Sequence, residues 1–63
     1  MKREALLSHL VQHGCRLERE GSSHSIWSNP SGEIQAVPRH KEINRFTAKS
    51  ICRKLGCPIP KGA

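Results

Sequence analysis

The 63-residue chain has no aspartate and no tyrosine, one phenylalanine and one tryptophan. It also lacks any apolar run of the roughly 20 residues that a membrane-spanning helix needs. Without aspartate there is no Asp to orient a catalytic histidine, which removes the Ser-His-Asp arrangement. Few aromatics leave a thin aliphatic core, in a single domain near the lower size limit for independent folding. The stretch MKREALLSHLVQHG is broken by Ser8, His9, Gln12 and His13 where a signal peptide is continuously apolar, so a cytoplasmic protein without membrane association is expected. Cysteine is also sparse. Cys15, Cys52 and Cys57 are odd in number and far from the dense spacing of a secreted disulfide scaffold, so reduced thiols and no disulfide partner are expected.

Positive charge is what the chain has in excess. Eleven Lys and Arg stand against five Glu, a formal charge of +6. From Pro38 to Leu55 there are six basic side chains (Arg39, Lys41, Arg45, Lys49, Arg53 and Lys54) and one acid, Glu42, whereas Glu18, Glu20 and Glu33 fall in the middle of the chain. Phosphate contacts and counterion release make such a C-terminal half the place where a polyanion is met. On charge alone the alternative is a solvated basic surface that serves solubility.

Hydrophobic periodicity places a helix over residues 2–13. Leu6, Leu7, Leu10 and Val11 form its apolar stripe, Lys2, His9 and His13 share one edge, and Gly14 stands at the left-handed C-terminal cap. CRLERE alternates Cys15 and Leu17 with charge and reads as a half-buried strand; HSIWS is a second, and EIQAV a third after the NPSG turn. Pro38 ends the third strand, RHKEI crosses over, and Asn44 is the expected N-cap of a second helix running to about Leu55. That helix carries Ala48, Ile51, Cys52 and Leu55 on its apolar stripe and Arg45, Lys49 and Arg53 on an adjoining face. The expected architecture is α+β, helix-strand-strand-strand-helix. A three-stranded antiparallel sheet carries both helices on one face because so short a chain has one core. Residues 1–57 form the domain and 58–63 a flexible tail. Strand parity, anchored on the aliphatic residues, puts Leu17, Ile26 and Ile34 inward. Trp27 is then on the open face beside Glu18, Glu20 and Glu33, as a cross-strand packing residue or a patch that a protein partner covers, rather than a base-stacking platform.

Four His and three Cys raise the possibility of a metal site. His9 and His13 have i, i+4 spacing, but no HExxH glutamate lies between them and no third ligand is evident; Cys52 and Cys57 are unlike a CxxC knuckle. No metal or other cofactor is expected, and Cys15 and Cys52 read as small core residues. A buried thiol is normally inert, and SSHS lacks the strand-turn-helix elbow of a serine hydrolase. His24 remains. It follows the small, polar Gly21-Ser22-Ser23 turn, which leaves its ring accessible. Its parity with Ile26 points that ring to the rim of the helix side, toward the edge formed by Lys2, His9 and His13. An imidazole beside a basic groove suits RNA transesterification, in which the 2′-hydroxyl loses a proton, the 5′-oxygen gains one and cations stabilise the phosphorane. A histidine that is simply bonded into the turn fits the same residues.

SSHSIW, the NPSG turn, AVPRHKEI and AKSICRKLG together resemble the HicA (YcfA-like) family of toxins from type II toxin-antitoxin systems, over about Leu6 to Gly56. Gly21-Ser22-Ser23-His24 stands where the family commonly has Gly-Ser-His, and Trp27 where Tyr is frequent. The resemblance implies a small double-stranded-RNA-binding-domain-like (dsRBD-like) fold and metal-free cleavage of mRNA, with His24 as the catalytic residue. It also implies a HicB-like antitoxin that binds the toxin and masks that histidine. Ser22 and Ser23 are then expected to shape the turn against bound RNA, and Arg39, His40, Lys41, Arg45, Lys49 and Arg53 to contact phosphate. A non-catalytic RNA-binding module is the alternative; a third reading is a partner-binding protein whose basic face meets only an acidic antitoxin.

Overall fold

The computed structural model describes residues 1–61. Five elements follow in order: α1 (Arg3–Gln12), β1 (Arg16–Glu20), β2 (His24–Ser28), β3 (Ile34–Pro38) and α2 (Arg45–Lys54). The strands form one antiparallel sheet in the order β1-β2-β3. Leu6 and Leu10 of α1 and Ala48, Ile51 and Cys52 of α2 join Trp27 and Val37 in a single core, so both helices cover the same sheet face.

Both helices end in the same way. The Cys15 N–H donates to the Leu10 carbonyl at 2.9 Å and the Gly14 N–H to that of Val11 at 3.1 Å; in α2 the Cys57 N–H donates to Cys52 at 2.8 Å and the Gly56 N–H to Arg53 at 3.2 Å. These are Schellman motifs, which require the left-handed backbone that Gly14 (φ 84) and Gly56 (φ 71) supply. The residue after each glycine is a cysteine turned into the core, and the two sulfurs, Cys15 Sγ and Cys57 Sγ, lie 3.5 Å apart. Burial, and then the hydrogen bond and charge of Cys57, push the Cys15 thiol up to about 11. Burial also raises Cys52. At the start of α2 the Asn44 side chain accepts from the Phe46 N–H at 2.8 Å, as its N-cap position predicts.

The crossing segment is pinned to the front of α1. Arg3 N–H donates to the Lys41 carbonyl and Ile43 N–H to the Met1 carbonyl, both at 2.8 Å, and Ile43 is buried. At the other end of the sheet Asn29 organises the turn between β2 and β3. Its side chain accepts from the Glu33 N–H at 2.8 Å and donates to the Leu55 carbonyl at 3.1 Å, fastening the turn to the end of α2. Beyond residue 57 the Pro58 carbonyl accepts from His9 at 2.7 Å and Pro60 is buried, while 62–63, the end of the expected tail, lie outside the described residues.

Sheet parity corrects the sequence reading. Trp27, Ser25 and Val37 face the helices, whereas Ile34 is 56% exposed and Ile26 half-buried on the opposite face. Ile26 and Trp27 are adjacent, so one must face outward. Trp buries roughly 150–250 Å², more than an aliphatic side chain, and it shares parity with Val37 through the Trp27–Gln35 and Ser25–Val37 pairs. The Trp27–Val37 face therefore outweighs the Ile26–Ile34 face. Leu17 stands opposite Trp27, but β1 is an edge strand with an irregularity between Leu17 and Arg19, and all five of its residues are exposed.

Candidate functional site

His24 is the first residue of β2, and its backbone is held from two sides. Its carbonyl accepts from the Gly21 N–H at 2.7 Å, and it stands opposite Pro38 in β3. A Cβ on Gly21 would come within 2.9 Å of that carbonyl oxygen, so the tight connection has no room for a side chain there. Ser22, Ser23 and the His24 imidazole are exposed, and the ring makes no hydrogen bond among the described residues. The histidine is fixed through its main chain and not through its ring.

A network of charged hydrogen bonds holds the residues around it. From α1, Arg3 donates through Nε to the Pro38 carbonyl at 2.9 Å and through Nη2 to Ser25 Oγ at 2.8 Å. Ser25 Oγ donates to Glu20 Oε1 at 2.7 Å. Arg39 Nη2 donates to the same carboxylate oxygen at 2.6 Å and to the Gly21 carbonyl. Gly21 and Ser25, which flank His24, and Pro38, its cross-strand partner, thus belong to one network. The Ser25 hydrogen bond holds the Glu20 carboxyl below the usual carboxylate range, against partial desolvation and with help from the Arg39 and Arg3 charges. Buried Ser25 would be costly without partners, and this network supplies both a donor and an acceptor. The sequence reading missed Arg3, Glu20 and Ser25, since nothing local marks three residues that meet only in the folded sheet.

Of two hollows on the surface, one shares Arg3 and Arg39 with this network. This one, of about 510 Å³, lies at the foot of α1 and is lined by Lys2, Arg3, Arg39 and Lys41 with Glu4 and Glu42. The other, of about 590 Å³, runs along the open sheet face past Arg16, Glu18, Arg19, Ile26 and Ile34 to the turn at Asn29 and Pro30, away from His24. Strand alternation places His24 on this open face with Ile26, which corrects the expected helix-side orientation. His9 and His13 do not approach it. His9 Nε2 donates to Pro58, His13 Nδ1 donates to the His9 carbonyl at 2.9 Å, and their ring centroids are 4.4 Å apart. Among the described residues no group of three or more His, Cys or Glu side chains could hold a metal ion.

The remaining basic residues fall in two groups. Arg39 and Lys41 share the hollow at the foot of α1, and Arg39 touches the His24 loop directly. Arg45 and Arg53 are exposed and Lys49 half-buried along α2, without a hydrogen bond or ion pair to that loop among the described residues; His40 is exposed between the two groups. No described helix is long and apolar enough to cross a membrane.

Fold and site together define a small basic α+β domain that presents an exposed imidazole at a hairpin end. The family described as the HicA toxin of bacterial toxin-antitoxin matches residues 3–57 of this chain, and the chain belongs to that family. Membership makes it the toxin half of a toxin-antitoxin pair. Comparison with curated proteins gave no match, and comparison with solved structures gave none.

Proposed function

We propose that this toxin is a metal-independent endoribonuclease that cuts mRNA in the cytoplasm, with His24 as its acid-base residue. The observation that carries this reading is an exposed imidazole without a hydrogen-bond partner among the described residues, on a backbone that Gly21 and the Pro38 pairing hold in place. A histidine kept only to tie down the turn would engage its ring, and this one leaves it available to substrate. In the reaction His24 accepts the proton of a ribose 2′-hydroxyl. The O2′–P bond forms, the P–O5′ bond breaks and the 5′-oxygen takes up a proton, leaving a cyclic phosphate and a free 5′-hydroxyl. Arg39 and Lys41 stabilise the negative charge that grows on the phosphorane oxygens; Ser22 and Ser23 leave room for the backbone at the cut; His40, Arg45, Lys49 and Arg53 contact flanking phosphates. A HicB-like antitoxin restrains the activity by covering His24.

The test is a short RNA carrying a single deoxyribose at its cut site. Cleavage there is expected to stop while cuts at other positions continue, with or without chelator. A cut at the deoxy position would exclude 2′-hydroxyl attack, and loss of cleavage in chelator with rescue by a divalent ion would exclude the metal-free route. RNA binding without any cleavage would favour a non-catalytic module.

A further inference from the structure

Phe46 is the most exposed large apolar side chain of the described residues, at 65%, and the other ring of this kind, Trp27, is buried. Single exposed apolar residues are ordinary on protein surfaces. The surroundings of Phe46 are not. It is the second residue of α2, where the buried stripe of Ala48, Ile51 and Cys52 occupies the far side of the helix. Helical spacing groups Phe46 instead with Lys49 at i+3 and Arg53 at i+7. The Arg45 guanidinium lies over its ring, with Cζ 5.2 Å from the centroid. No acidic residue occurs anywhere in α2, so this face carries one aromatic ring, Ser50 and cations.

We propose that Phe46 is a stacking platform for an unpaired base of single-stranded RNA, a role that rests on the RNA reading above. A ring with a guanidinium on it offers a π surface to a nucleobase and places the cation where the adjoining phosphate needs it. Bases stack on aromatic side chains irrespective of sequence, and the cations at i+3 and i+7 continue the contact along the strand. An acidic protein partner would be drawn to the same charge, but would gain nothing specific from an aromatic over an aliphatic side chain. The segment from Arg39 to Phe46 begins directly after Pro38, the strand partner of His24, and carries Arg39, His40, Lys41 and Arg45 with one acid, Glu42, before it reaches this ring. A paired base would be unavailable to the ring, which makes Phe46 a device for selecting single strands.

The experiment measures binding of a short single-stranded RNA in the His24→Ala background, which keeps the RNA intact. Phe46→Ala is expected to weaken binding roughly 5- to 150-fold, the range for one base stacked on an aromatic ring. Phe46→Leu should weaken it nearly as much, and Phe46→Tyr should restore it. The salt slope should stay unchanged, because no phosphate contact is lost. An oligonucleotide of the same backbone without bases should bind the parent and the Phe46→Ala variant equally. Because the side chain is exposed, all three variants should keep the parent's melting temperature. RNA affinity unchanged in Phe46→Ala, or restored by Leu, overturns the stacking role and leaves the RNA reading standing. Absence of RNA binding by the Phe46 parent overturns both.

Discussion

Replacement of Ser25 by alanine probes the network behind His24 with the least disturbance of shape, since one buried oxygen is removed and no cavity larger than that atom forms. The hydroxyl accepts from Arg3 at 2.8 Å and donates to Glu20 at 2.7 Å. A hydrogen bond to a charged group contributes about 1.5–3 kcal/mol net. Arg3 is half-buried, and water can reach part of its guanidinium once Ser25 is gone, so the lower end applies. A loss of about 1.5 kcal/mol in a domain of this size lowers the melting temperature by roughly 6–12 °C. Thermal unfolding followed by circular dichroism measures it, and amide exchange reports the local effect. With the bridge from α1 to Glu20 cut, the Gly21 N–H that bonds to the His24 carbonyl should lose protection more than amides in the centre of α2. A melting temperature within about 2 °C of the wild type would refute the claim that this buried hydroxyl joins α1 to the His24 loop.

Three further outcomes follow from the same packing. Trp27 faces the core, so its fluorescence should be blue-shifted and resist iodide; emission typical of water with ready quenching would restore the outward orientation. The three thiols are buried, and Cys15 is pushed up to about 11, so Ellman's reagent should react only at the rate of unfolding; immediate release of thiolate from the native protein would contradict this core. The carboxyls of Glu18, through Ser28 and then Arg16, and of Glu20, through Ser25, are held below their ordinary values. The unfolded chain therefore binds protons more readily, and the stability these groups add is present above the usual carboxylate range and lost as pH falls through their folded values. Melting temperature should drop on acidification below about pH 4, less steeply in Glu18→Gln/Glu20→Gln; equal slopes for the two proteins would show that other groups set the acid response.

The order of elements was readable because its signals are local. Gly14 and Gly56 close helices by backbone conformation, Asn44 caps one, and the apolar stripe of α2 repeats at helical spacing. Face assignment in the sheet was not readable from Ile26 and Ile34, since in HSIWS the deciding quantity is the area of Trp27 added to that of Val37 across the strand pair. His24 could be singled out by its turn, yet its face inherited the parity error. Cys57, the last residue of the expected domain, is buried by the second helix cap, and in the expected tail Pro60 is buried and the Pro58 carbonyl accepts from His9 of α1, contacts that composition does not announce. The Arg3–Ser25–Glu20–Arg39 network joins residues far apart along the chain, 22 for Arg3 and Ser25 and 35 for Arg3 and Pro38, and no periodicity announces such a meeting. Phe46 is a different case. It lies opposite the buried stripe and could have been placed on the surface from spacing alone.

His24→Ala tests the central claim most directly, with cleavage of a defined RNA, RNA affinity and melting temperature measured on the same preparation. The ring makes no hydrogen bond among the described residues, so the variant should melt at the wild-type temperature and bind RNA with similar affinity. Cleavage should fall by about 10²- to 10⁴-fold, the contribution of a positioned acid-base group. A His24→Ala protein that cuts RNA at the wild-type rate would contradict the assignment.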